Sequence, residues 1–271
     1  MNRPARFLVI RFSSIGDIVL TTPVLRALKT QIEGGAEVHF LTKKSFASVV
    51  ESNPYVDKVH TIEIATAEVT DELKDLHFDY IIDLHANIRS TMVKRNLKIL
   101  DFTFKKLNIE KWLLVNFGID KMPKTHIVDR YMDTLKAFGV QGDGQGLDYF
   151  IPQSEEVTLG DEFSHGYLCI AAGAAHIGKR IPTETLVDVC KTFHGKVVIV
   201  GGNDDIEVGN TLASIAPDRI FNEAGKRSIH ASASIIRQSS VVLAGDTGMM
   251  HIAAAFKRPL VSVWGCTVPE L

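Results

Sequence analysis

Short apolar runs, each closed by a polar turn and followed by a helix-patterned stretch, recur through all 271 residues. Two of the turns are the most informative. Ser13-Ser14-Ile15-Gly16-Asp17 follows the apolar run 7–12, and Gly245-Asp246-Thr247-Gly248 follows the run 241–244. Strand, tight glycine-containing turn and helix together aim backbone N–H groups and a fixed polar side chain into the space above a sheet edge. The first turn offers a lone carboxylate, Asp17. The second offers an anion site with a hydroxyl, Thr247, and a histidine, His251, one turn into the helix. A carboxylate and a phosphate-binding helix start on separate sheets point to group transfer from a phosphorylated donor.

The alternation predicts strands over 6–12, 36–42, 59–62, 80–84 and 99–104. Helices are expected over 22–31, 46–51, 66–76 and 127–138, the last stopped by Gly139. A glycine-rich polar stretch, Gln141 to Gly146, breaks the pattern, so a linker is expected near 140–165. Strands then resume over 167–171, 196–200, 219–221, 241–244 and 260–263, with helices over 182–193 and 204–216. The expectation is an α/β chain with two domains, residues 1–145 and 146–271, each a parallel sheet covered on both faces.

Composition excludes several classes. Hydrophobic residues make up 45% and charged residues 23%, so the chain buries cores. No apolar run approaches the roughly 18 residues that span a bilayer, and no signal-peptide pattern opens the sequence. A cytoplasmic protein is expected. Cys169, Cys190 and Cys266 are scattered, without zinc or disulfide spacing. Net charge is −2, yet Arg89, Lys94, Arg95, Lys98, Lys105, Lys106, Lys111, Lys121 and Lys124 are opposed only by Asp101, Glu110 and Asp120. Such a stretch is either a solvated face or a surface for an anionic acceptor or membrane. No nucleic-acid motif accompanies it.

Gly173 to Lys179 has P-loop spacing, but Arg180 stands where a hydroxyl would hold Mg²⁺. No G-x-G-x-x-G follows a strand, which argues against a dinucleotide enzyme. Asp17 has two readings. It is an N-cap, or it lies in a loop and is free to act as a base, because a helix capped at Asp17 would enclose Pro23. Asp246 and Thr247 cap a helix start that also presents N–H groups to an anion.

With these motifs in view, the chain resembles the ADP-heptose:lipopolysaccharide heptosyltransferases, glycosyltransferase family 9. The resemblance rests on Ser13 to Asp17 with Thr22-Pro23, Asp79 to His85 with Arg89-Ser90, and His126 to Tyr131 before Gly139. It continues with Lys179 and Pro182, Gly201-Gly202 with Asp204-Asp205, and Gly245 to Gly248 with His251. It implies two Rossmann-like domains facing a cleft, the GT-B architecture. It also implies inverting, metal-independent transfer of heptose from ADP-heptose to a lipopolysaccharide core acceptor, with no cofactor. Asp17 then matches the general base and Lys179 the group that stabilises the leaving diphosphate. Asp246, Thr247, Gly248 and His251 fall on the donor side, with Asp205 near the ribose. Ser13, Ser14, Gly16 and Arg89 fall on the acceptor side. The expected partners are a nucleotide sugar and an anionic lipopolysaccharide acceptor at the inner face of the inner membrane. Family members continue past Leu271 with a strand and a terminal helix, so closing elements are expected to be missing. The alternative reading is a truncated or non-catalytic relative that binds a nucleotide sugar without turnover.

Overall fold

The computed structural model describes residues 3–265 apart from Lys124 and Ala175. Lys124 of the basic stretch, Cys266 and the chain end at Leu271 therefore lie outside the described residues. The chain divides into two units between Gly146 and Leu147.

In the first unit β1 (Ala5–Ile10) leads through α1 (Ile15–Val19) and α2 (Thr22–Gln31) to β2 (Ala36–Lys43). Then come α3 (Ser48–Glu51), β3 (Lys58–Ile62), α4 (Ala67–Asp75), β4 (Tyr80–Asp83), α5 (Ile88–Leu97) and β5 (Leu100–Thr103). α6 (Asn108–Phe117) and α7 (Ile127–Met132) complete the unit, α7 running on as a 3₁₀ turn to Phe138. The strands are parallel, in the order β3-β2-β1-β4-β5. β1 is the centre, and Phe7 to Ile10 are fully buried, as a strand covered on both faces requires. Leu8 and Ile10 pack with Leu73, Ile81 and Val93 on one face. On the other, Phe7 meets the rings of Tyr80 and Phe138 at 5.2 and 5.3 Å. The glycine-rich stretch after Gly139 is anchored to this unit. Arg26 of α2, only 3% exposed, binds Asp143 through two nitrogens at 2.6 and 2.8 Å and reaches the Gly146 carbonyl at 2.9 Å.

The second unit runs β6 (Tyr167–Ala171), α8 (Thr183–Thr192), β7 (Lys196–Val200), α9 (Ile206–Ala213) and β8 (Ile220–Asn222). It continues with α10 (Ile229–Gln238), β9 (Val241–Gly245), α11 (Gly248–Ala255) and β10 (Leu260–Val263). Its parallel order is β10-β9-β6-β7-β8, the first unit's arrangement repeated. Alternate residues of β6 and β7 divide between two cores. Cys169, Ala171, Val198 and Val200 pack with Ile235 and Met250, while Leu168, Ile170, Val197 and Ile199 pack with Leu186 and Leu212. Ile181, before Pro182, is buried in the second of these cores. Cys169 and Cys190 are free and buried, and burial raises both thiol pKa values.

Candidate functional site

Strand order reverses between β1 and β4 in the first unit, and between β6 and β9 in the second. Open α/β sheets bind ligands outside the carboxyl ends of strands at such a switch point. Asp17 sits in the short helix that follows β1, and His85 in the turn that leaves β4. Lys179 and Thr247 sit in the segments that leave β6 and β9.

Asp17 does not lie in a loop, and it is not unpaired. It is the third residue of α1, and Ser14 caps that helix. The Ser14 N–H and hydroxyl donate to Asp17 Oδ2 at 3.1 and 2.9 Å. Pro23 rules out one long helix but not two in succession. α1 ends at Val19, and α2 makes its own start at Thr22 with Pro23 in its first turn. The Arg11 guanidinium completes the environment of Asp17, 2.6 Å from Oδ2. Arg11 is 8% exposed, and its other nitrogens donate to the carbonyls of Ser13 (2.7 Å) and Leu84 (2.6 Å) and to the Tyr131 hydroxyl (2.9 Å). One side chain thus ties the turn after β1 to the turn after β4. Burial alone would raise the Asp17 pKa, but the Arg11 charge and the Ser14 donors outweigh it and hold the carboxyl below its ordinary range. Burial pushes the Tyr131 hydroxyl up to about 12. Sequence reasoning missed Arg11. Its signal is a lone charge inside the apolar run 7–12.

Asp83, fully buried at the end of β4, accepts from the N–H groups of His85 and Ala86 at 3.0 and 2.8 Å, with Lys94 Nζ 3.2 Å from its other oxygen. These contacts fix the turn bearing His85, whose ring meets Phe12 edge-on at 5.2 Å. Burial first, then Arg11 and Lys106, lower the His85 pKa to about 4. Its Nδ1 is buried without a hydrogen-bond partner, as is Nε of Arg130 on α7, a residue 6% exposed. Ser13 is half-buried, Ser14 exposed and Gly16 buried, all beside Asp17. Arg89 is exposed on the first turn of α5, which Asn87 caps through the Ser90 N–H at 2.9 Å.

In the second unit Lys179 and Asp246 come together at 2.5 Å. The segment after β6 lies flat against the end of β9, because a Cβ on Gly245 would stand 2.3 Å from the Lys179 carbonyl oxygen. Lys179 ends a 3₁₀ turn (Ile177–Lys179) and α8 starts only at Thr183, so no P-loop helix follows the lysine. Thr247 caps α11, its hydroxyl accepting from the Met250 N–H at 3.4 Å, with Gly248 as first helical residue. His251 is half-buried in the first turn. Asp205 is 5% exposed and accepts from the Gly202 N–H at 2.8 Å. It fills the space beside Gly173 and Gly201, where an added Cβ would collide with it, so it shapes the ends of β6 and β7. Asp204 beside it is exposed.

Residues 66–271 match the model of glycosyltransferase family 9 (heptosyltransferase). The chain belongs to this family. Among curated relatives it is similar to lipopolysaccharide heptosyltransferase 1 of Campylobacter coli, 22% identical over 96% of this chain and 83% of the relative. The fold is that of a glycosyltransferase family 9 crystal structure from Veillonella parvula, with TM-score 0.82, 21% identity, and 99% of this chain and 82% of that one covered. It is also that of the E. coli heptosyltransferase WaaC solved with ADP, with TM-score 0.74, 22% identity, and 97% and 88% covered. This heptosyltransferase-family chain therefore has the α/β, GT-B-type fold of its relatives, as expected from sequence. Among the described residues no helix is long and apolar enough to cross a membrane.

Proposed function

We propose that this glycosyltransferase moves a heptose from ADP-heptose to a lipopolysaccharide core acceptor, by a single inverting displacement without a metal ion. The observation that carries this reading is the paired chemistry of the two switch points, Arg11 with Asp17 in one unit and Lys179 with Asp246 in the other. In the reaction the acceptor oxygen bonds to the anomeric carbon. The bond from that carbon to phosphate oxygen breaks, ADP departs with the electron pair, and the acceptor proton passes to Asp17. All three contacts within the turn fall on Oδ2 of Asp17, and Oδ1 is the oxygen assigned to the proton. Lys179, shared with Asp246 at rest, turns to the diphosphate. The first N–H groups of α11 at Gly248 take its oxygens, so that fixed dipoles and a point charge meet the developing negative charge. His251 stands beside them, and the Gly201–Gly202 turn held by Asp205 receives the nucleoside. Ser13, Ser14, Gly16 and Arg89 form the acceptor side, with Arg130 as a buried cation for an anionic sugar. A lipid-borne acceptor puts the work at the inner face of the membrane.

A transfer assay with several nucleotide sugars, with and without chelator, tests this. Heptose should move from ADP-heptose alone, with inverted configuration and undiminished rate in EDTA. Binding without transfer would favour the non-catalytic alternative. Loss of rate on chelation would remove the metal-independent step.

A further inference from the structure

The helix α6 (Asn108–Phe117) is the least buried helix in its unit for its length. None of its ten residues is buried. Yet it carries large apolar side chains where a solvated helix would carry polar ones. Ile109 is 72% exposed, Trp112 55%, Val115 82% and Phe117 61%. At 100° per residue Ile109, Trp112 and Val115 share the outward side, while Leu113 and Leu114 turn inward and are half-buried. The Trp112 and Phe117 rings pack on each other at 5.1 Å, and Ile119 extends the patch past the helix end. The exposed Lys105 precedes the helix and Lys121 follows it, while Lys106 reaches the His85 carbonyl at 3.5 Å and Lys111 has Arg130 and Lys106 as charged neighbours; Glu110 and Asp120 are the acidic residues of the segment.

We propose that α6 is a membrane-docking helix, lying in the interface of an anionic lipid bilayer with Ile109, Trp112 and Val115 among the acyl chains. A ten-residue helix is about 15 Å long, too short to span the hydrocarbon and suited to lying along it. The charge pattern selects the occupant. A protein groove would need acidic residues to match the lysines at both ends of the helix, Lys105 and Lys121, whereas anionic headgroups surround an inserted helix on every side. Tryptophan and lysine both suit this depth, one by its amphipathic ring, the other by extending its ammonium to the headgroups. The docking surface belongs to the first unit alone and stands whether or not the donor is ADP-heptose. Its bearing on turnover rests on the proposed lipid-borne acceptor.

The test uses the full chain and vesicles of phosphatidylcholine, alone or mixed in equal parts with phosphatidylglycerol. The chain should co-sediment with the mixed vesicles at least tenfold more tightly than with phosphatidylcholine. In the Trp264→Phe variant, Trp112 emission should shift to the blue and be quenched by brominated lipid. Replacing Ile109, Trp112 and Val115 together by Ser should cut vesicle binding at least tenfold, with circular dichroism and binding of soluble nucleotide sugar unchanged. Lys105→Glu with Lys121→Glu should remove the preference for phosphatidylglycerol. Vesicle binding that survives the triple serine variant would overturn the proposal. So would a wild-type dimer in sedimentation that the same variant makes monomeric, since the face would then be a self-association surface. A variant impaired in transfer to delipidated acceptor as well would place the helix in the active site instead.

Discussion

Replacing Asp17 by Asn keeps the side-chain shape and removes charge and basicity together. Turnover should fall by roughly 10²–10⁴-fold, the usual contribution of a general base. From sequence alone such a change costs little stability. The structure adds a cost, because the buried Arg11 guanidinium loses its counter-charge. Asp17 is 37% exposed, so water shares the loss, and a destabilisation of about 1–2 kcal/mol is expected in urea. Donor affinity by calorimetry should not change. Near wild-type turnover would leave Asp17 with only its structural partners, Ser14 and Arg11. In the other unit, Gly245→Ala forces the new methyl against the Lys179 carbonyl, so the segment must move. About 1–3 kcal/mol of stability should be lost, and ADP affinity should drop at least tenfold. An unchanged affinity would detach Lys179 from the donor site. That Asp17, Lys179 and Thr247 stand in the segments leaving strand ends was legible because each lies next to a glycine after an apolar run, and the roles proposed for them rest on the family resemblance. Arg11 was not, because periodicity treats a lone charge inside an apolar run as noise until its four partners are seen.

Elements were easier to read than partners. The predicted strands fall on the observed ones within a residue or two at each end, since parallel strands buried on both faces leave unbroken apolar runs. The helix α2 was located by Pro23, and Gly139 stops the helical stretch after α7 in the left-handed conformation. Helices α1, α5, α6 and α10 went unpredicted. α1 is only five residues long, and α6 has no buried residue to mark a core-directed stripe. Between β2 and β3 lies another feature that periodicity does not signal. His39 and His60, both 2% exposed, meet through ring nitrogens at 2.9 Å. Glu37 sits on the far side of His39 at 2.9 Å, and Glu72 of α4 on the far side of His60 at 3.1 Å, with Lys58 on Glu72. Burial above all, with His39 and Lys58 adding to it against the pull of Glu72, lowers the His60 pKa from 6.5 to about 4. The unfolded chain therefore takes this proton first as pH falls. The stability contributed by the neutral ring is whole above pH 6.5 and is lost on the way down to about 4, at most about 3 kcal/mol. Melting temperature should fall over that window, and His60→Gln should flatten the fall. An equally steep fall in the variant would assign it to other groups.

At the scale of the whole molecule, both units use one strand order, and the alternation of strand and helix announced two parallel sheets. It did not announce the order, because alternation says that crossovers occur and not to which side each one turns. If each switch point serves one substrate, ADP should protect only one of them. Hydrogen exchange should slow in residues 172–180 and 245–252, with residues 11–20 unchanged, and Lys179→Ala should remove the effect. Protection spread equally over both units would contradict the division of labour. Ionic strength offers a different separation. The guanidinium of Arg11 is walled off from counter-ions, whereas Lys105 and Lys121 at the ends of α6 stand in the solvent. Added salt should leave the maximal rate nearly constant, while the second-order rate of capturing a charged, lipid-borne acceptor declines steeply. The enzyme would then be governed by the salt of its surroundings in how often it begins a reaction, and hardly at all in how fast it finishes one.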